Sequence, residues 1–236
     1  MQPNIPTDLH ICRFCEADQP ENYVASVVPL VYEAAVDYFN LLFGSREDAL
    51  EELTHWSKRL TSEYSILRAT GLMQDQGCSG IVIGLSGKDR NDCHKADILA
   101  LAKSRTFGKR SLSHVGFEAL RDSLPQVPVD VYYIRAISVA SKWRGHGLGR
   151  RLMQIAIENG RAGGYTSFRV DVRADNTPAR GLYEALGFVP IAQASNPITE
   201  WAMVAMQCVH NNVERKLAAE RDDLLDYRSG NGRFCC

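Results

Sequence analysis

The chain has 236 residues, 45% of them apolar and 23% charged, with a net charge of -1. These values supply a core without metals or disulfide staples, and they exclude a strong basic field for nucleic acid or an anionic membrane. No apolar run approaches the roughly 20 residues that span a bilayer, and MQPNIPTDLH lacks the pattern of a secretory leader, so a soluble cytoplasmic protein is expected.

In chain order, residues 1–9 read as a flexible lead and His10 to Arg13 as a short edge strand. Glu21 to Phe43 carries Val24, Val28, Val31, Ala35, Tyr38 and Leu42 at helical spacing, with Pro29 expected to break or kink the helix near its start. Gly44 stops it, and Ser45 caps a second helix through His55 to Leu60. Tyr64 to Met73 and Gly80 to Leu85 read as a hairpin turning at Asp75-Gln76-Gly77. Gly87 to Gln126 is a polar insertion with helical patches at Ala96 to Ala102 and Phe117 to Leu120, and Lys103 to Arg110 in it is a small basic cluster read as a solvated loop.

Val129 to Val139 is the strongest strand, rich in β-branched and aromatic residues. Leu148, Leu152, Ile155 and Ala156 form one stripe on a helix from Gly147 to Asn159. Phe168 to Val172 is a strand, and the next helix follows Asp175-Asn176 and ends at Gly187. Phe188 to Ala192 and Trp201 to Cys208 are the last strands, and Asn212 to Tyr227 a charged helix. One α/β domain over 10–209 is expected, with 210–236 as a C-terminal helix and tail. Cys12 and Cys15 form a CxxC with no second pair, so no metal site is expected. Cys235 and Cys236 do not fit the prenylation pattern and read as part of a frayed tail.

The informative stretch is Arg144-Gly145-His146-Gly147-Leu148-Gly149-Arg150-Arg151, which joins the strongest strand to the striped helix. A helix N-terminus offers unpaired N–H groups and partial positive charge, glycines let an anion approach the backbone, and the arginines add charge. The turn is therefore expected to hold a phosphate or pyrophosphate. The Walker pattern is absent, and GxGxxG fails because residue 150 is arginine.

Arg144-x-x-Gly147-x-Gly149 resembles the [Q/R]-x-x-G-x-[G/A] signature of the GNAT acetyltransferases, and Asn176 to Phe188 resembles that family's N-x-x-A-x-x-x-Y-x-x-x-G-F element. The likeness covers about Val129 to Val189. It implies a mixed, mostly antiparallel twisted sheet flanked by helices, and acetyl-CoA as co-substrate with an amine acceptor. It implies that the backbone of Arg144, Gly145, His146, Gly147, Leu148, Gly149 and Arg150 cradles the pyrophosphate. Ile137, Ser138 and Val139 would line the pantetheine arm, with a backbone N–H near Val139 polarising the thioester carbonyl. Asn176 would bond the same arm, cap its helix, or do both. Tyr183 would protonate the leaving thiolate, although it also falls on a core stripe with Ala179, Leu182 and Leu186.

The general base is open. Many members of the family carry a glutamate on this strand, but Tyr132 to Val139 contains no acid and Asp130 stands at the strand's start. Asp171 has Arg169 and Arg173 beside it, a pattern that reads as pairing on a solvated face. His146 is expected to point outward. The acceptor and the oligomeric state are open, and the helices of Glu21 to Leu60 with the 87–126 insertion are expected to shape the acceptor site. A non-catalytic acyl-CoA-binding domain and a nucleotide-binding protein are the competing readings.

Overall fold

Seven strand-forming segments assemble into one sheet in a computed structural model that describes residues 9–74, 77–103, 124–195 and 201–209. The strands are β1 (His10–Arg13), β2 (Ala69–Gln74), β3 (Gly77–Ser86), β4 (Tyr132–Val139), β5 (Ser167–Arg173), β6 (Val189–Ser195) and β7 (Ala202–Val209). Their spatial order is β1-β2-β3-β4-β5-β7-β6. All neighbours are antiparallel except β4 and β5, which run parallel at the centre. This is the expected mixed, mostly antiparallel sheet.

Six α-helices cover the sheet among the described residues. They are α1 (Val24–Ala34), α2 (Val36–Phe43), α3 (Arg46–Ser57), α4 (Gly87–Lys103), α5 (Leu148–Ala162) and α6 (Thr177–Ala185). Because strand side chains alternate, β3 sends Ile81 and Ile83 to one face and Val82 to the other. The first face packs on Val27, Val31, Phe39, Phe43, Leu53 and Trp56 of the N-terminal helices. The second packs on the α5 stripe of Leu148, Leu152, Ile155 and Ala156, with Phe168 and Val170 of β5. Each such large side chain removed from water contributes roughly 1.5–3 kcal/mol before conformational entropy is counted.

Several local expectations change. Pro29 lies inside α1, which continues past it; the break comes at Ala35, whose φ of -155° and ψ of 56° are not helical. The resulting bend between the helices is 99°. Val28, Leu30 and Val31 are buried around Pro29, so packing outweighs the lost backbone bond. Ser45 caps α3 as expected, its hydroxyl accepting from the Asp48 N–H at 3.1 Å, but the helix ends at Ser57. The strand expected from Tyr64 begins only at Ala69, because Ile66–Arg68 forms a 3-10 turn. Residues 129–131 turn instead of extending, with the Val131 N–H donating to the Pro128 carbonyl at 3.1 Å. The helical patch at 96–102 belongs to the longer α4, while the patch at 117–120 and the helix at 212–227 lie outside the described residues. Among the described residues no single helix is long and apolar enough to cross a membrane.

Candidate functional site

The central parallel pair is joined over only three rungs, Tyr132 to Phe168, Tyr133 to Arg169 and Ile134 to Val170. Beyond Ile134, β4 stays on β3 through Val139, and β5 stays on β7 through Arg173. The two strands therefore part, and each leaves an edge without a ladder partner in the gap. A bulge sits where they separate. Ile83 pairs with Ala136 and Gly84 with Ile134, so Arg135 is the extra residue of β4.

The glycine turn closes the end of β4. Ser141–Trp143 makes one 3-10 turn, and Gly147 is the N-cap of α5. Gly145 and Gly147 have φ of 80° and 78°, a left-handed backbone that side chains disfavour. A Cβ built on either would meet nothing within 4 Å, so the outer side of the turn is open to a ligand. The first N–H groups of α5 have no intrahelical acceptor and lie at the positive end of the helix dipole. The nearby indole Nε1 of Trp143 is buried without a hydrogen-bond partner among the described residues, which leaves a further donor available. A pyrophosphate fits this turn.

The residues singled out in the sequence collect around this gap. Ile137 and Val139 are half-buried and pack towards the α5 side, while Ser138 is buried opposite Ile81. Arg144 is engaged locally, its Nε donating to the Val139 carbonyl at 3.0 Å and its Nη2 pairing with Glu33 at 3.1 Å. His146 stands over Trp143, and its Nδ1 lies 2.9 Å from the Arg144 carbonyl oxygen. Leu148 is buried in the α5 core, so it can offer a ligand only its backbone. Asn176 caps α6, its Oδ1 accepting from the Ala179 N–H at 3.2 Å. Tyr183 is 3% exposed, between Leu186 and Phe188, and burial pushes its phenol well above 10, which keeps the proton on the oxygen at neutral pH.

The opposite face of the same strands is charged. Phe168, Val170 and Val172 face α5, so Arg169, Asp171 and Arg173 lie on the other face of the sheet, where Arg173 reaches Asp37 of α2. This corrects the expected solvated face, since Arg169 is 1% exposed. Its Nε and Nη2 hold Asp171 at 2.8 and 3.2 Å, and Nη1 donates to the Pro125 carbonyl at 2.8 Å. The Tyr133 hydroxyl also donates to Asp171, at 3.1 Å. Buried residues require such partners, because an unpaired internal charge costs several kcal/mol.

Sequence reasoning missed the centre of this network. Glu63 is 1% exposed and pairs with the Arg135 Nε, with His94 Nδ1 at 2.9 Å and with Arg90 at 4.0 Å. Burial alone would raise its carboxyl, but Arg135, His94 and Arg90 outweigh that and hold it at about 2. Asp97 accepts from the Glu63 N–H at 2.9 Å and the Ser62 hydroxyl at 3.1 Å, and pairs with Arg59 at 3.4 Å. Burial, aided by the Glu63 charge, nevertheless lifts it to about 6. The one hint in the sequence was a lone arginine inside the apolar run of β4, which required a counter-ion from somewhere. A carboxylate 72 residues earlier could be matched to it only in three dimensions.

Comparison with known proteins agrees with this geometry. Residues 88–188 match the family model described as Acetyltransferase (GNAT) family. N-alpha-acetyltransferase 40 of Saccharomyces cerevisiae is 45% identical over 74 residues, 28% of this chain and 26% of that protein. Mycothiol acetyltransferase of Corynebacterium glutamicum is 36% identical over 74 residues, 31% of this chain and 24% of that protein. The matched segments thus span about a quarter of each of these relatives. Among solved structures, an acetyltransferase is similar with a TM-score of 0.57 at 21% identity, covering 85% of this chain and 98% of its own. The NatC complex bound to Gag peptide and CoA gives 0.53 at 13% identity, covering 86% and 99%. These two structures support the fold, and the family match with the two sequence relatives supports the lineage. Across residues 88–188 the chain matches the GNAT acetyltransferase family, and it shares its fold with both solved structures.

Proposed function

We propose that this chain transfers the acetyl group of acetyl-CoA directly to a primary amine, and that an α-amine suits it better than a lysine side chain. The observation that carries the reading is the gap between β4 and β5 with the open glycine turn at its end. An extended pantetheine arm can hydrogen-bond the free edge of β4 along Ile137, Ser138 and Val139. The pyrophosphate then rests on the backbone from Arg144 to Arg150, and a main-chain N–H near Val139 polarises the thioester carbonyl.

Tyr183 retains its proton because it is buried, so it is suited to donate to the departing thiolate. The acceptor enters from the charged face. Glu63 at about 2 is too weak a base to deprotonate an ammonium, and Asp171 is clamped by Arg169 and Tyr133. With Glu63 and Asp171 held in this way, an α-amine near ~8 reaches its neutral form more readily than a lysine near ~10.4.

Mixing the protein with acetyl-CoA and a panel of α-amines and lysine side chains, while following free thiol, tests this. Acceptor-dependent thiol release with the α-amines ahead is expected. Tight CoA binding with no release for any acceptor would instead establish an acyl-CoA-binding domain without turnover.

A further inference from the structure

We propose that Arg135 recognises a carboxylate on the acceptor, so that the amines acetylated are those with an acidic group a few bonds from the reacting nitrogen. This rests on the acetyl-transfer reading above and names its substrate class. Arg135 is the bulge residue of β4, one position past the last rung to β5, so it stands at the mouth of the gap on the acceptor side. Its guanidinium is fixed before any ligand arrives. Nε pairs with Glu63, Nη2 donates to the Tyr64 hydroxyl, and the plane lies 4.6 Å from the Tyr64 ring centre and 6.0 Å from that of Tyr38. Nη1 has no hydrogen-bond or ion-pair partner among the described residues, and the side chain is 20% exposed.

Arg169 shows the contrast. All of its nitrogens are engaged by Asp171 and the Pro125 carbonyl, and its side chain is 2% exposed. Arg169 is structural, whereas Arg135 keeps an edge for something else. The acids around Arg135 lie deeper than it does. Glu63 is 1% exposed at its side chain, Asp97 5% and Asp171 11%, and each is held by a cation. The wall therefore presents a guanidinium outward with its counter-ions behind it. A planar, oriented, half-engaged guanidinium favours a carboxylate, which it can bind through two parallel hydrogen bonds. The same charge repels an ammonium and so favours the neutral amine that must attack.

The carboxylate can be an acidic first side chain of a peptide or the α-carboxylate of a free amino acid. Peptides with a free α-amine, an amidated C-terminus and Asp, Asn or Lys first address the former, and glycine against glycinamide addresses the latter. In at least one pair the acidic acceptor should show kcat/KM about tenfold or more above its neutral partner, and the Lys peptide should be poorest. Binding of the N-acetylated Asp and Asn peptides to the protein–CoA complex, by calorimetry, should show the same preference without turnover. Arg135→Gln should abolish the preference, and Arg135→Lys should reduce it to a few-fold while keeping the counter-ion of Glu63. If the Gln variant does not fold, the Lys variant decides.

Equal rates and equal binding for acidic and neutral acceptors in the wild type would overturn the proposal while leaving acetyl transfer standing. So would a preference undiminished in the folded Arg135 variants. Acid-selective binding with no thiol release would uphold the carboxylate site and sink the transferase reading.

Discussion

The two faces of β4 and β5 differ in what they bury. Towards α5 the strands present Ile134, Phe168, Val170 and Val172 against Tyr183 and the helix stripe, a core held by apolar contact. On the opposite face the same strands present Arg135 to Glu63, which Arg90 and His94 also hold, and join Tyr133 and Arg169 at Asp171. An apolar face tolerates repacking, because each contact is small and non-directional. A buried ionic face does not, because removing one partner leaves the others charged and unpaired. The α5 side of the gap thus rests on a generic core, and the opposite side on a particular set of charges.

The sharpest test of the apolar side is Tyr183→Phe, which keeps the packing and removes only the hydroxyl. Turnover should fall by about 10²–10⁴ with CoA affinity unchanged, as steady-state rates and a CoA titration would show. Unaltered turnover would leave Tyr183 as core alone. On the charged side, Glu63→Gln should cost about 3–5 kcal/mol in urea unfolding, because Arg135 and Arg90 lose their shared carboxylate. A loss under about 1 kcal/mol would mean that the network contributes little.

The same comparison can be drawn out with pH. The Glu63 carboxyl folds at about 2 against 4.5 unfolded, so its stabilisation is complete above 4.5 and is lost as pH falls towards 2. Asp97 folds at about 6 against 3.8 unfolded, so stability is lost as pH rises from 3.8 through about 6. Each effect is on the order of 3 kcal/mol. Urea midpoints should therefore peak near about pH 4–5, and Asp97→Asn should flatten the limb above the peak. A flat profile through this range would contradict both shifts.

Smaller effects belong to the turn and its neighbouring cap. Gly147→Val should weaken CoA at least about tenfold, since a β-branched residue resists a φ of 78° and that strain costs about 1–2 kcal/mol. Thermal melting should show the fold retained. Asn176→Ala should cost about 1 kcal/mol through its lost cap. An accompanying fall in CoA affinity would show that Asn176 also bonds the pantetheine arm, and unchanged affinity would leave it as a cap.

Much of the central region was legible from local signals. The β-branched run of β4, the α5 stripe, the Ser45 and Asn176 caps and the glycine turn are each decided within a few residues, by steric preference and hydrogen bonds to nearby backbone. The first-third boundaries were less legible. Whether Pro29 breaks a helix, or Tyr64 extends a strand, depends on what packs around them.

The sequence by itself determined the α/β class, the open glycine turn before α5 and the place of Tyr183 on α6, because these follow from period, propensity and motif spacing. Only the tertiary structure decided that β4 and β5 part after three rungs and that the lone arginine of β4 is neutralised by Glu63. It alone turned Arg169 and Asp171 inward. Strand register and charge pairing across tens of residues are set by the competition to satisfy every buried group at once, and no local window of sequence contains that competition.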